Sequence, residues 1–124
     1  MSDQRQLLGQ KGERLAVWYL KLCGYRILEQ NYRNRIGEID IVAREGATLV
    51  FVEVKARKDD RFGPPKAAVT LKKQQKISQT ALAYLKETRQ MDRRARFDVI
   101  SIQMAQMPPR IELIRNAFDL AYGI

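Results

Sequence analysis

GEIDIVAREGATLVFVEVKAR, residues 37 to 57, contains two runs rich in Ile, Val and Phe on either side of Gly46. That composition broken by a glycine predicts two antiparallel strands joined by a hairpin turn. Side chains alternate faces along a strand, so Glu38, Asp40 and Val42 share a face of the first run. Leu49, Phe51, Glu53 and Lys55 continue that face in the second. The opposite face carries Ile39, Ile41 and Ala43, then Val50, Val52 and Val54.

If Gly46 and Ala47 make the turn, Glu45 faces Thr48, and counting back sets Asp40 against Glu53 and Glu38 against Lys55. A four-residue loop keeps this register, whereas an odd loop without a bulge sends Glu53 to the other face. In the even register the two carboxylates stand on Cβ atoms roughly 5 Å apart. Like charges so placed repel unless a positive group joins them, and Lys55 or a divalent cation would serve. Solvated acids on a half-exposed sheet are the plain alternative. The continuous Val, Ile and Phe around them instead favour a strand covered on both faces, where carboxylates need partners.

Asp40, followed after the turn by Glu53, Val54 and Lys55, resembles the D, E-x-K signature of the PD-(D/E)XK nuclease superfamily. That is the fold of many restriction enzymes and of archaeal Holliday junction resolvases. With Gly12 and Glu13, GEID at 37 to 40, FVEVK at 51 to 55 and RFD at 96 to 98, the chain resembles the YraN-like family of small bacterial proteins along nearly its whole length. The resemblance implies a restriction endonuclease-like α/β sandwich, a central mixed β-sheet flanked by helices. It also implies a Mg²⁺- or Mn²⁺-dependent endonuclease that cleaves phosphodiester bonds in nucleic acid, DNA foremost, with branched DNA among the candidate substrates. Asp40, Glu53 and the backbone carbonyl of Val54 would hold the metal, with Lys55 and Glu13 completing the catalytic set. In this chain Ile39, not proline, precedes Asp40. Glu38 is an additional acid, open to a role as metal ligand, Lys55 partner or neither. The alternatives are a non-catalytic nucleic-acid-binding domain and, in a third class, an assembly or adaptor protein on the same scaffold.

Composition narrows the chemistry. The chain has no histidine, which excludes Ser/His/Asp and Cys/His triads and ordinary zinc hydrolases and leaves carboxylate chemistry. Lys and Arg number 23 against 14 Asp and Glu, a net charge of +9 that favours a polyanionic partner. Cys23 has no second cysteine to pair with and is expected as a small buried residue in a reducing compartment. The opening MSDQRQLLGQKGERL lacks a signal-peptide apolar stretch and no segment reaches membrane-spanning length, so a cytoplasmic location away from membranes is expected. The length of 124 residues suits a single domain over 1–124.

Outward from the hairpin, apolar spacing predicts a helix over Asp3–Cys23 with Leu15, Trp18, Tyr19 and Leu22 as its buried stripe and Gly24 as its C-terminal glycine. Glu13 lies on the side continued by Val17 and Leu20. Tyr25–Arg33 reads as a strand, and Lys58–Lys66, with Gly63, Pro64 and Pro65, as a loop near the site. Thr70 caps a second helix reaching Glu87, with Ile77, Ala81, Tyr84 and Leu85 inward. Its first turns carry Lys72, Lys73, Gln75 and Lys76, a surface suited to phosphate, and equally readable as a solvated basic face. Strands are expected at Phe97–Met104 and Ile111–Ile114, with Asp98 paired to Arg96 or Arg94. Asn116 would cap a short terminal helix whose Phe118, Leu120 and Tyr122 close the core.

Overall fold

The computed structural model describes residues 4–58, 69–105 and 107–120, with side chains from Leu7 onward. Its elements run α1 (Gln4–Leu22), β1 (Arg26–Arg33), β2 (Glu38–Glu45), β3 (Thr48–Arg57), α2 (Leu71–Glu87), β4 (Ala95–Gln103) and β5 (Arg110–Phe118). The five strands form one sheet in chain order. β1, β2 and β3 are antiparallel neighbours, β3 and β4 are parallel, and β5 returns antiparallel to β4. A parallel pair needs a crossover, and α2 supplies it. The result is a mixed five-stranded sheet flanked by two helices, the architecture of a restriction-endonuclease-like sandwich. Among the described residues, no helix is long and apolar enough to cross a membrane.

The hairpin register holds from the turn to Ile41 and Val52, where the β2–β3 pairing ends. Gly46 has φ +59 and Glu45 pairs with Thr48, which makes Gly46 and Ala47 a two-residue turn. Two apolar layers then cover the two faces. Ala16 and Leu20 of α1 pack on Ile41, Val50, Val52 and Ile100, while Ile77 and Tyr84 of α2 pack with Val42, Phe51, Phe97 and Val99. Phe51 meets Tyr84 edge-on at 5.7 Å, which ties the central strand to α2.

Strict alternation fails at one place. Ile39 belongs with Val42 in the α2-side layer, not with Ile41. The break falls beyond the last paired rung of the β2–β3 ladder, Ile41 with Val52, and Asn31, level with Asp40 in the β1–β2 register, sits there at φ +54.

Two further expectations are corrected. The stripe of Leu15, Trp18, Tyr19 and Leu22 is inward only in part: Leu15 and Tyr19 pack at the margin of the α1-side layer, while Trp18 is 55% and Leu22 66% exposed. Gly12, Ala16 and Leu20 face the sheet instead, because small residues one turn apart let the helix backbone approach β3. Asn116 does not cap a helix. It lies within β5 at φ +53, in a bulge opposite Asp98, and its N–H donates to Asp98 Oδ1 at 2.9 Å. Asparagine suits both settings, as a side-chain acceptor at a helix N-cap and as a residue that tolerates the left-handed conformation in a bulge, so its identity alone could not distinguish them. Cys23 is half-buried against the α1-side layer. Tyr122 and nearly all of the Lys58–Lys66 loop lie outside the described residues.

Candidate active site

The site forms where the β2–β3 ladder ends. Beyond Ile41 and Val52, the Asp40 side chain takes the place of a backbone acceptor: its Oδ2 receives the Val54 N–H at 2.8 Å. Asp40 and Glu53 interact directly at this level. Burial, followed by the hydrogen bond with Glu53 and the charge of Glu53, pushes the Asp40 carboxyl up to about 8, with Glu13 adding to the rise and the Val54 N–H opposing it.

Two lysines answer the acids. Lys73 Nζ lies 2.6 Å from Glu53 Oε2, and Lys55 Nζ lies 3.8 Å from the same oxygen. The Lys73 contact is an ion pair without hydrogen-bond alignment, so this buried oxygen still lacks an aligned donor. Burial lowers the pKa of Lys55, and contact with Lys73 lowers it further against the pull of Glu53. For Lys73 burial acts in the same direction, but contacts with Glu53 and Lys55 outweigh it and hold its pKa above that of a free lysine.

Gly12 brings the fifth residue. A Cβ on Gly12 would stand 2.6 Å from the Ala56 Cβ, so only glycine allows α1 to lie this close to β3. That contact carries Glu13 to a hollow of about 350 Å³ lined by Leu8, Gly9, Glu13, Asp40, Val54, Lys55 and Ala56. Glu53 does not line it and is held by the lysines instead. Among the described residues, no three acids come close enough to hold an ion together. Glu13 therefore acts on Asp40 through charge, and the acid pair is the available donor set. Two covered carboxylates, one with an oxygen lacking an aligned donor, fit the oxygen preference of Mg²⁺ or Mn²⁺.

A family model described as "Uncharacterised protein family UPF0102" matches residues 12–102, a span that holds all five of these residues. The chain belongs to the UPF0102 family. A UPF0102 protein of Geobacter metallireducens is 57% identical over 98% of this chain and 100% of its own length. One from Syntrophus aciditrophicus is 54% identical over 93% and 91%, and one from Geotalea daltonii 52% over 97% and 95%. The YraN-like resemblance is this family, and fold and family together link the chain to the PD-(D/E)XK nuclease superfamily.

Within this UPF0102 chain the sequence had assigned Lys73 to a phosphate-facing surface, and its contact with Glu53 was missed. The cap, in which Thr70 accepts the Lys73 N–H at 3.2 Å, fixes where α2 begins but not how its first turn docks, so it gave no signal of the contact. Lys72, Gln75, Lys76 and Gln79 do gather with Thr70 and Lys73 around a second hollow of about 420 Å³. Lys73 belongs to both places. Glu38 belongs to neither, being exposed and paired with Arg33 at 2.7 Å. Asp98 is buried in an ion pair with Arg96 at 3.0 Å, away from the Asp40 hollow.

Proposed function

We propose that the chain is a Mg²⁺- or Mn²⁺-dependent endonuclease acting on phosphodiester bonds, with DNA the preferred substrate. The observation that carries this reading is the direct apposition of two covered acids, Asp40 and Glu53, beside a hollow edged by Glu13 and Lys55. Asp40, Glu53 and the Val54 carbonyl would hold the ion. A divalent cation there supplies a Lewis acid for a phosphate oxygen and a bound water of lowered pKa.

The chain's own residues do the rest. Lys55, whose pKa is lowered by burial and by Lys73, edges the hollow, where its Nζ can orient the attacking water or stabilise charge on the phosphate. Glu13 adds negative field at Asp40 and so favours a cation in the hollow. The start of α2 receives the nucleic acid. It has no acid in its first turn but carries Lys72 and Lys73, charges set against the positive end of the helix dipole. Each such charge costs roughly 0.3–1 kcal/mol. Phosphates lying along Lys72, Gln75 and Lys76 would relieve that cost.

The ion pair of Lys73 with Glu53 also favours a second reading, since a basic binding module that had lost catalysis could neutralise its acid this way. Cleavage of linear, single-stranded and branched DNA and of RNA, with Mg²⁺ or Mn²⁺ and with EDTA, separates the two. Asp40→Asn and Glu53→Gln should each lose metal-dependent cleavage and weaken metal affinity by about 100-fold or more, while binding of DNA in EDTA persists. Undiminished cleavage in both variants overturns the site. A wild type that neither binds metal nor cleaves makes the binding module the better account.

A further inference from the structure

Lys73 is the residue through which the acid pair and the basic face of α2 meet. Its position is built rather than incidental: Thr70 caps the first turn, Gln74 Nε2 donates to the Val69 carbonyl at 2.9 Å, and Val69 is buried. The side chain is 43% exposed, so its ammonium is free to swing outward, yet it lies 2.6 Å from a carboxylate oxygen that is 8% exposed as a side chain. A cation and a divalent ion cannot both take that oxygen at such range.

We propose that Lys73 is a resident counter-ion: it neutralises Glu53 in the metal-free protein, yields that oxygen when a divalent cation binds, and then contacts a phosphate of the bound nucleic acid. This assignment rests on the nuclease reading. Lys73 couples the two halves of the site, because uptake of metal releases a positive charge onto the face that Lys72 and Lys76 already line. Metal and nucleic acid then reinforce each other's binding, as linkage requires.

Mn²⁺ affinity is measured calorimetrically for the wild type, Lys73→Met and Lys73→Gln. Removing the competing charge should tighten Mn²⁺ roughly tenfold in both variants. DNA binding is then followed against salt, with EDTA or with Ca²⁺ as a divalent ion held without turnover. For the wild type, Ca²⁺ should steepen the slope of log K against log salt by about one unit, and in Lys73→Met this change should vanish. Mn²⁺ affinity that is unchanged or weaker in both variants overturns the counter-ion role. Tighter Mn²⁺ with the same Ca²⁺-induced slope change in variant and wild type overturns the phosphate contact. A wild type that takes up no Mn²⁺ refutes the nuclease reading itself, unless uptake appears on removing Lys73, which would support the assignment.

Discussion

Glu53 on β3 and Asp98 on β4 lie one rung apart in the parallel ladder, both buried, and they are compensated in different ways. Asp98 accepts from the Tyr25 hydroxyl at 2.7 Å, from Arg96 Nε at 3.0 Å and from the Asn116 N–H at 2.9 Å. Arg96 in turn reaches Glu45, and Arg115 bridges Glu45 and Tyr25 at 3.1 Å each. Two arginines balance two acids, and every group has aligned partners. At Glu53 the acids Asp40 and Glu53 face each other, Glu13 adds charge, and the nearest ammonium meets its oxygen without alignment. The first cluster is complete within the protein. The second is left to be completed from outside, which is how a structural network and a binding site differ when both are made of buried acids.

The largest effect should come from breaking the complete cluster. Asp98→Ala leaves the Arg96 guanidinium and the Tyr25 hydroxyl covered without their shared acceptor, and loss of one partner from a buried pair costs about 3–5 kcal/mol. Urea unfolding should show that loss, while Asp40→Asn in the metal-free protein should be near neutral at pH 7, where the carboxyl keeps its proton, and stabilising above pH 8, where it would carry a charge beside Glu53. Equal destabilisation by the two substitutions would erase the distinction between the clusters.

A smaller effect is expected from pH. The Asp40 carboxyl is raised to about 8 in the folded protein, above its ordinary value of 3.8, so the folded state keeps a proton that the unfolded chain releases near pH 4. The contribution is fully present below pH 4 and is lost as pH rises through about 8. In EDTA, stability should therefore decline over that window by roughly 1–3 kcal/mol, damped because the two acids titrate together. Asp40→Asn should flatten the decline, and Mn²⁺ should offset it in the wild type. A wild-type midpoint denaturant concentration that is flat from pH 5 to 8.5 would count against a repulsive acid pair.

Much of this contrast could be read from the sequence, for a physical reason. Hairpin register follows from turn length and strand parity, both local, so the pairing of the strands as far as Ile41 with Val52 followed from Gly46 and a count of residues. Alternation failed at Ile39, past the last paired rung of the β2–β3 ladder, where turn length and parity no longer decide the face. The α1 stripe held only in part: two faces had helical spacing, and the choice between them depended on the close approach of Gly12 to Ala56. Lys73 was legible as a basic residue on α2. Its contact with Glu53 depends on how α2 docks on β3, which no local pattern encodes.

The smallest predicted effect concerns the acid that stands in the same motif and belongs to neither cluster. Glu38 lies two residues before Asp40, and by parity alone it would have faced Lys55. The β1–β2 register sets it against Arg33, where the two side chains pair at 2.7 Å in solvent. Exposed pairs of this kind contribute about 0–1 kcal/mol, because solvent screens the attraction and two long side chains must be held still. Glu38→Gln should therefore change stability by no more than about 0.5 kcal/mol and leave Mn²⁺ affinity within about twofold of wild type. Urea unfolding and calorimetric titration of the same variant check both. Its value lies in the contrast with Asp40→Asn, since both substitutions replace a carboxyl group on the same strand by an amide. A comparable drop in metal affinity for the two would mean that general negative field, rather than apposition of Asp40 and Glu53, draws the cation to this end of the sheet.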